Sequence, residues 1–211
     1  MLNFNEISDV KHRDFEEVMK IYKSSFSAQG REPDNIIRKR IQEHIFRLMV
    51  GYWEGRAIAM SFFYRLKDKR FFLLAYIAIS KKFQNRGIGS KLMKHMLHVV
   101  KKDAKGQYLL MEVESPKYGK SREEKEKRVQ FYKRLGAKEL KGIYYTFPPH
   151  PGNKPTEMIL MLIPNYPNGK MNGNLVKKLI SMLYTDLYRK DKSDNLLKSM
   201  ISNVPPYVEL A

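Results

Sequence analysis

The first half of the chain contains four segments with the residue pattern of β-strands. Residues 2–7 alternate between apolar and polar positions, and residues 48–53 and 56–64 flank Glu54-Gly55, which is typical of a hairpin turn. Residues 71–79 are almost wholly apolar, as expected for a strand that is covered on both faces. These segments predict the first four strands of a sheet.

Apolar residues at helical spacing mark the segments between and after these strands. A helix is predicted over residues 15–26, and a second helix opens at Pro33-Asp34 and extends to Ile45. Apolar residues between Ile88 and Val100 form one stripe of a long helix whose opposite face is polar. The pattern therefore predicts three amphipathic helices that cover the sheet.

The second half of the chain continues this alternation. Residues 108–113 predict another buried strand, and residues 123–135 predict a helix that stops at Gly136 in the C′ position. Strands follow over residues 137–145 and 158–163, on either side of a proline-rich loop. The whole pattern predicts an α/β fold with a central sheet of about seven strands and flanking helices.

The character of the sequence changes after residue 164. Turns rich in Asn, Gly and Lys lead to helices predicted over residues 175–188 and 195–201. We therefore predict one domain over residues 1–164 and a C-terminal helical extension over residues 165–211 that packs on it.

Composition narrows the class of protein. The 211 residues include no cysteine, which excludes disulfides, thiolate metal sites and a cysteine nucleophile, and fits a reducing compartment. No apolar run is long enough to span a membrane, and the first residues do not resemble a signal peptide, so a cytoplasmic location is predicted. The net charge of +18 attracts anionic ligands, but no nucleic-acid-binding module accompanies it, and nucleic acid is not a predicted partner.

The most specific motif is the glycine loop Gln84-Asn85-Arg86-Gly87-Ile88-Gly89, between the buried strand and the long helix. Such a loop can direct several backbone N–H groups at one anion, and the positive end of the helix dipole adds to the attraction. No Gly-Lys-Ser/Thr follows, which excludes a nucleoside-triphosphate loop, and Leu92 occupies the position of the third glycine of a dinucleotide fingerprint. The loop therefore predicts a pyrophosphate site of another kind.

This loop resembles the signature of the GNAT superfamily of N-acetyltransferases, Gln/Arg-x-x-Gly-x-Gly/Ala after the fourth strand, and the order of elements over residues 2–163 is similar as well. The resemblance implies a mixed central sheet and acetyl-CoA as co-substrate. It implies that loop amides hold the coenzyme A pyrophosphate and that the strand before the loop pairs with the pantetheine arm. The cofactor-binding residues so predicted are Ile77, Ala78, Ile79, Gln84, Asn85, Arg86, Gly87, Ile88, Gly89 and Ser90. The five histidines do not cluster with carboxylates at the spacing of metal ligands, so no metal is predicted.

A second segment, Phe131-Tyr132-Lys133-Arg134-Leu135-Gly136, is similar to the Phe-Tyr pair that this family places near the coenzyme sulfur. A phenol with a pKa of about 10 stays protonated near neutral pH and can protonate a departing thiolate. The resemblance therefore implies that Tyr132 is the general acid. Helical spacing alone is also compatible with a core aromatic residue.

The proton acceptor is less defined by sequence. Glu112, near the end of an apolar strand, is our candidate base, since a carboxylate in such a place has a perturbed pKa. It resembles the strand-end glutamate of the branch that acetylates protein N-termini, and Tyr144-Tyr145 with Pro148 is similar to an acceptor-facing loop there. The segment between Glu112 and Tyr132 is longer than in that branch. Glu114 and water stay open as alternative bases.

Two function classes follow from these patterns. The first is an N-acetyltransferase that moves the acetyl group of acetyl-CoA to a primary amine, which could be a protein N-terminus, a lysine or a small molecule. The second is a non-catalytic acyl-CoA-binding module with a basic partner-binding surface. The sequence leaves open the acceptor, a homo-oligomeric state and the role of residues 165–211.

Overall fold

The computed structural model describes residues 1–103, 106–148 and 155–211. The chain divides into two compact units. Unit 1 comprises Met1–Arg65 and Phe72–Gln107, and unit 2 comprises Leu66–Phe71 and Tyr108–Ala211. The proline-rich loop predicted around residues 148–155 lies mostly outside the described residues.

Four strands of unit 1 form an antiparallel arrangement in chain order. Alternating and continuous apolar patterns predicted all four. They are β1 (Leu2–Ile7), β2 (Phe46–Trp53), β3 (Arg56–Arg65) and β4 (Phe71–Ile79). The register shifts between Phe62 and Phe63 of β3, which leaves Ala75 of β4 without a partner residue on β3. This β-bulge precedes the last part of β4, Tyr76 to Ile79.

Three helices complete unit 1: α1 (Phe15–Ser25), α2 (Asp34–Gln42) and α3 (Ile88–Lys102). Central strand β3 is buried along Ala57 to Phe63 because α1 and α3 both pack on it. On the α3 side the Ser61 hydroxyl lies 2.9 Å from the sulfur of Met96. The prediction that α2 extends to Ile45 is wrong, since the helix ends at Gln42 and His44 takes a positive φ of 55°.

In unit 2, strand β8 is the central strand. It pairs antiparallel with β5 along one edge and with β6 and β7 along the other. The elements are β5 (Tyr108–Glu114), α4 (Arg122–Arg134), β6 (Lys138–Glu139), β7 (Tyr145–Phe147) and β8 (Thr156–Ile163). The continuous strand predicted over residues 137–145 is wrong, because a turn at Lys141-Gly142 divides it, with Gly142 at a φ of 70°.

Residues 165–211 also belong to unit 2 and are tied to it through the chain terminus. They form β9 (Lys170–Asn172), α5 (Gly173–Met182), a π-helical turn (Leu183–Leu187), α6 (Asn195–Ser202) and β10 (Tyr207–Glu209). Strands β9 and β10 pair antiparallel, a small sheet that sequence reasoning missed. Backbone hydrogen bonds of 2.9 and 3.1 Å join Glu139 to Ala211.

The predicted fold class is confirmed: strands and flanking helices form an α/β fold, with helices near the C-terminus. The domain boundary at residue 164 stays a prediction. No helix in the described part of the chain is both long and apolar enough to cross a bilayer.

Candidate active site

The glycine loop connects the end of β4 to the start of α3 in unit 1. A short 3₁₀ turn, Lys81–Phe83, follows the strand, and the amide nitrogen of the Gln84 side chain donates to the carbonyl of Ile79 at 3.0 Å. Asn85 and Gly87 both have positive φ values, 61° and 72°. Gln84 thus fastens the loop to the strand, while the two left-handed residues turn the chain into the helix.

The N-terminus of α3 presents unpaired amides at this loop. The first backbone bond of the helix runs from the N–H of Lys91 to the carbonyl of Gly87 at 3.1 Å. The N–H groups of Ile88, Gly89 and Ser90 precede it and have no partner within the helix. A Cβ atom placed on Gly87 would meet no atom within 4 Å, so the space beside this residue at the helix N-terminus is open. Unpaired amides beside open space suit an anion.

The charged residues of the loop and of the turn before it are all basic. Helix α3 has no acidic residue along its length, and Arg86, Lys91 and the two lysines of the 3₁₀ turn are exposed. The Arg86 guanidinium lies 5.4 Å from the centre of the Phe83 ring. A phosphate at the helix N-terminus would therefore meet attraction from the dipole and from these cations.

The predicted pantetheine strand is the last part of β4, after the bulge. Ile77 and Ile79 are partly exposed and Ala78 is buried, and their partners on β3 are Ser61, Ala59 and Met60, respectively. That this backbone pairs with the pantetheine arm stays a prediction.

Tyr132 lies in the last turn of α4 in unit 2 and is 6% exposed. The centre of its ring lies 5.2 Å from that of the Phe131 ring. Gly136, with a φ of 90°, turns the chain away from the helix just after α4 ends. Burial raises the pKa of Tyr132 to about 12. Within the described residues its hydroxyl has no hydrogen-bond partner in the protein. The phenol therefore stays protonated at neutral pH and can donate to a ligand.

Glu112 lies on β5, two residues before the strand ends, and is partly exposed. The hydroxyl of Tyr145 donates to one carboxylate oxygen and the hydroxyl of Tyr188 donates to the other. Burial raises the pKa of Glu112 to about 7, although both phenol hydrogen bonds act in the opposite direction. A carboxylate with such a pKa can take up and release a proton near neutral pH.

Glu114, the alternative base on the same strand, has a different environment. Its carboxylate lies 3.5 Å from the ammonium of Lys125 and 4.0 Å from the guanidinium of Arg128, both on α4. The carboxylate of Glu114 is thus engaged by two cations, whereas that of Glu112 accepts hydrogen bonds from neutral phenols. The geometry therefore favours Glu112 over Glu114.

Sequence reasoning found Glu112 and Tyr145 but missed Tyr188. It associated Tyr144-Tyr145 with the acceptor, and the two residues differ: Tyr144 is 42% exposed, whereas Tyr145 is buried and contacts Glu112. Tyr188 lies 76 residues after Glu112. The one available signal was the spacing of Tyr184 and Tyr188, which puts two phenols on one helix face.

Sequence and structure comparisons agree with this geometry. The model of the GNAT acetyltransferase domain matches residues 44–136. No curated protein matches the chain in sequence. A GNAT-family acetyltransferase from Bacteroides thetaiotaomicron has a similar structure, with 21% identity, 90% of this chain and 99% of that chain covered, and a TM-score of 0.72.

Two further solved structures are similar over a smaller share of the chain. The ribosomal-protein-S18-alanine N-acetyltransferase from Escherichia coli has 17% identity, covers 77% of this chain and 92% of its own, and has a TM-score of 0.57. A GNAT family acetyltransferase from Elizabethkingia anophelis with acetyl-CoA bound has 16% identity, coverage of 76% and 96%, and a TM-score of 0.52.

The resemblance to the GNAT superfamily is therefore confirmed, with residues 44–136 matching the model of its acetyltransferase domain. The matched model is that of an acetyltransferase domain, and the similar structure from Elizabethkingia anophelis has acetyl-CoA bound. In the described part of the chain, no group of three or more His, Cys, Asp or Glu side chains could hold a metal ion.

Proposed function

We propose that the protein is an N-acetyltransferase that moves the acetyl group of acetyl-CoA to a primary amine by direct attack. The observation that carries the proposal is the state of Glu112, a partly exposed carboxylate held by two phenols with its pKa raised to about 7. An attacking amine must lose a proton, and a group that exchanges protons near neutral pH is suited to accept it.

The coenzyme is held at the glycine loop in this proposal. The pyrophosphate accepts hydrogen bonds from the amides of Ile88, Gly89 and Ser90, and the exposed cations beside the loop attract the remaining phosphate. The open space at Gly87 is where the phosphate oxygens approach the backbone.

The chemical step forms one bond and breaks one bond. Glu112, directly or through one water, accepts a proton from the ammonium, and the neutral amine attacks the thioester carbonyl. When the tetrahedral intermediate collapses, the C–S bond breaks and Tyr132 donates its proton to the sulfur. The nitrogen, which became cationic when it attacked, passes its surplus proton to the Tyr132 phenolate, and Glu112 releases to solvent the proton that the ammonium lost.

The acceptor class is tested directly by thiol release. Because the chain has no cysteine, a thiol reagent detects only free coenzyme A and no protein thiol. The similar structure from Escherichia coli is an alanine N-acetyltransferase by name, so the first probe is a lysine-free peptide with an N-terminal alanine. An Nα-blocked lysine peptide, spermidine and an aminoglycoside complete the panel. Release with none of the four amines would overturn the proposal.

The coenzyme site has a matched pair of variants. Gly87 and Gly55 both have positive φ values, 72° and 76°, and neither has an atom within 4 Å of an added Cβ. Glutamate therefore strains the backbone equally at either position, but only Gly87→Glu puts bulk and negative charge at the anion site. Acetyl-CoA at a hundredfold excess over Kd should stabilise the wild type and Gly55→Glu by about 2.7 kcal/mol and raise their melting temperatures. An equal rise in melting temperature with acetyl-CoA in Gly87→Glu would show that the loop does not bind the coenzyme.

Binding without turnover would indicate the second function class. A normal thermal shift with acetyl-CoA, together with no thiol release for any acceptor, is the result expected of an acyl-CoA-binding module. Loss of thiol release in Glu112→Gln, with the thermal shift retained, is the result expected of the transferase.

A further inference from the structure

Glu112 is surrounded by neutral groups, and two of them come from residues 165–211. Strand β7 contributes Tyr145, the π-helical turn and the residue after it contribute Tyr184 and Tyr188, and β8 contributes the apolar Leu160 opposite Glu112. From α4, Lys125 and Arg128 pair with Glu114. Among the described residues no cationic side chain forms an ion pair with Glu112.

The C-terminal segment brings Tyr188 to this place through a distorted helix end. Helix α5 continues into the π-helical turn Leu183–Leu187, and the N–H of Tyr188 donates to the carbonyl of Leu183 at 3.0 Å. Arg189 then takes a positive φ of 54° and ends the helix. π-Helical turns inside helices are costly and occur often at functional sites.

Three further contacts hold this turn and Tyr188 in position. The hydroxyl of Tyr184 donates to the carbonyl of Thr146 on β7 at 2.5 Å. The Lys67 ammonium lies 2.7 Å from the carboxylate of Asp186. The ring of Tyr188 packs on that of Phe147 at 4.8 Å between centres. Tyr188 is therefore held from both sides while its hydroxyl is directed at Glu112.

We propose that the C-terminal segment is part of the active site, and that Tyr188 is a positioning residue that orients the carboxylate of Glu112 and sets the pH range in which it accepts a proton. This inference rests on the proposed function, in which Glu112 is the base. The similar Bacteroides structure covers 90% of this chain, which must include part of residues 165–211.

The physical reason lies in the balance of two effects on one carboxylate. Burial favours the protonated form of Glu112, and the two phenol hydrogen bonds favour the ionised form. Without Tyr188, burial would act against one hydrogen bond instead of two, and the carboxylate would stay protonated to a higher pH. The phenols also fix both oxygens, which leaves one orientation of the remaining lone pairs toward an incoming proton.

The protonation of Glu112 can be measured without any acceptor. In protein labelled with ¹³C at the glutamate side-chain carboxyls, the Glu112 signal is assigned from its absence in Glu112→Gln and followed against pH. We expect Tyr188→Phe to raise the titration midpoint by about one pH unit, because a hydrogen bond to a charged group is lost. Tyr184→Phe is the matched control: its hydroxyl donates to Thr146, so the midpoint should not move.

A second replacement acts in the opposite direction and keeps the hydrogen bond. With 3-fluorotyrosine at position 188, the phenol is more acidic and donates more strongly, so the midpoint should fall below the wild-type value. This replacement stays informative if Tyr188→Phe does not fold. An unchanged midpoint in both proteins, or equal shifts in the 184 and 188 variants, would overturn the inference.

Turnover separates failure of this inference from failure of the proposed function. With acetyl-CoA and the alanine peptide, Tyr188→Phe should lower the rate about fivefold at pH 7 and leave it nearly unchanged at pH 9. Full activity in Glu112→Gln would remove the proposed base. If Glu112→Gln loses activity but Tyr188→Phe keeps the wild-type pH profile, Glu112 would stand as the base and the positioning role of Tyr188 would be wrong.

Discussion

Replacement of Glu112 by glutamine should stabilise the protein relative to the wild type as the pH rises. The folded-state pKa of Glu112 is raised to about 7, against 4.5 for an ordinary glutamate. Between these values the unfolded chain loses its proton while the folded chain keeps it. The stability that protonated Glu112 contributes is therefore fully present below pH 4.5 and is lost as the pH rises through 7.

The size of this effect follows from the two pKa values. One pH unit of difference corresponds to about 1.4 kcal/mol, and integration from pH 5 to pH 8 gives about 2.5 kcal/mol. Water reaches the partly exposed side chain, so an effect of about 1 kcal/mol is the lower bound. The free energy of unfolding of the wild type, minus that of Glu112→Gln, should fall by this amount over the interval.

Urea unfolding at several pH values between 5 and 8 measures this difference. Comparison with the variant cancels the titration of all other groups. Glu114→Gln serves as the control, because its surface carboxylate is paired with Lys125 and Arg128, and the loss of such exposed ion pairs changes stability little. A difference that stays flat, or that rises with pH, would refute the raised pKa and with it the reasoning about the base.

Two further variants test other parts of the molecule. Tyr132→Phe should lower kcat by about 10²- to 10⁴-fold with little change in acetyl-CoA affinity. This loss of kcat should be smaller with acyl donors whose leaving thiol is more acidic. A lower melting temperature with unaffected single-turnover chemistry would identify Tyr132 as a core residue instead. Gly173→Ala should destabilise the protein by about 1 to 3 kcal/mol, because the new Cβ would lie 2.0 Å from the carbonyl oxygen of Pro205. Gly30→Ala, whose Cβ meets only the Ser27 hydroxyl at 3.2 Å, should not, and equal melting temperatures for the two alanine variants would contradict the close packing at Gly173.

Features that depend on local sequence were predictable. The apolar stripes predicted α1 and α3, because a helix that packs on a sheet repeats its buried residues every three to four positions, and Gly136 marked the end of α4. The glycine loop was predictable because its conformation also depends on local sequence. A left-handed residue such as Gly87 and the helix start after it are determined within a few residues of the chain.

Features that depend on distant pairing were not predictable. The break at Lys141-Gly142 is fixed by hydrogen bonds to the chain terminus, where the N–H of Lys141 donates to the carbonyl of Glu209 at 2.8 Å. Strands of three residues, such as β9 and β10, have too few positions to show a period. The contact between Tyr188 and Glu112 depends on local and on distant features, since it needs a π-helical turn and the packing of residues 165–211 on the rest of unit 2.

The pKa of Glu112 also bears on which amines the proposed transferase would use. An α-ammonium with a pKa of about 8 gives its proton to a carboxylate of pKa about 7 at a cost of one pH unit, or about 1.4 kcal/mol. For a lysine ammonium, with a pKa of about 10.4, the pKa difference from Glu112 is more than three units, so the same proton transfer costs more. The alanine peptide should therefore react faster at pH 7 than the Nα-blocked lysine peptide. The ratio of the two rates should fall about tenfold by pH 9, because the α-amine is then already mostly neutral while the neutral fraction of the lysine amine still increases with pH. A ratio of the two thiol-release rates that is constant from pH 7 to pH 9 would show that amine deprotonation does not limit the reaction.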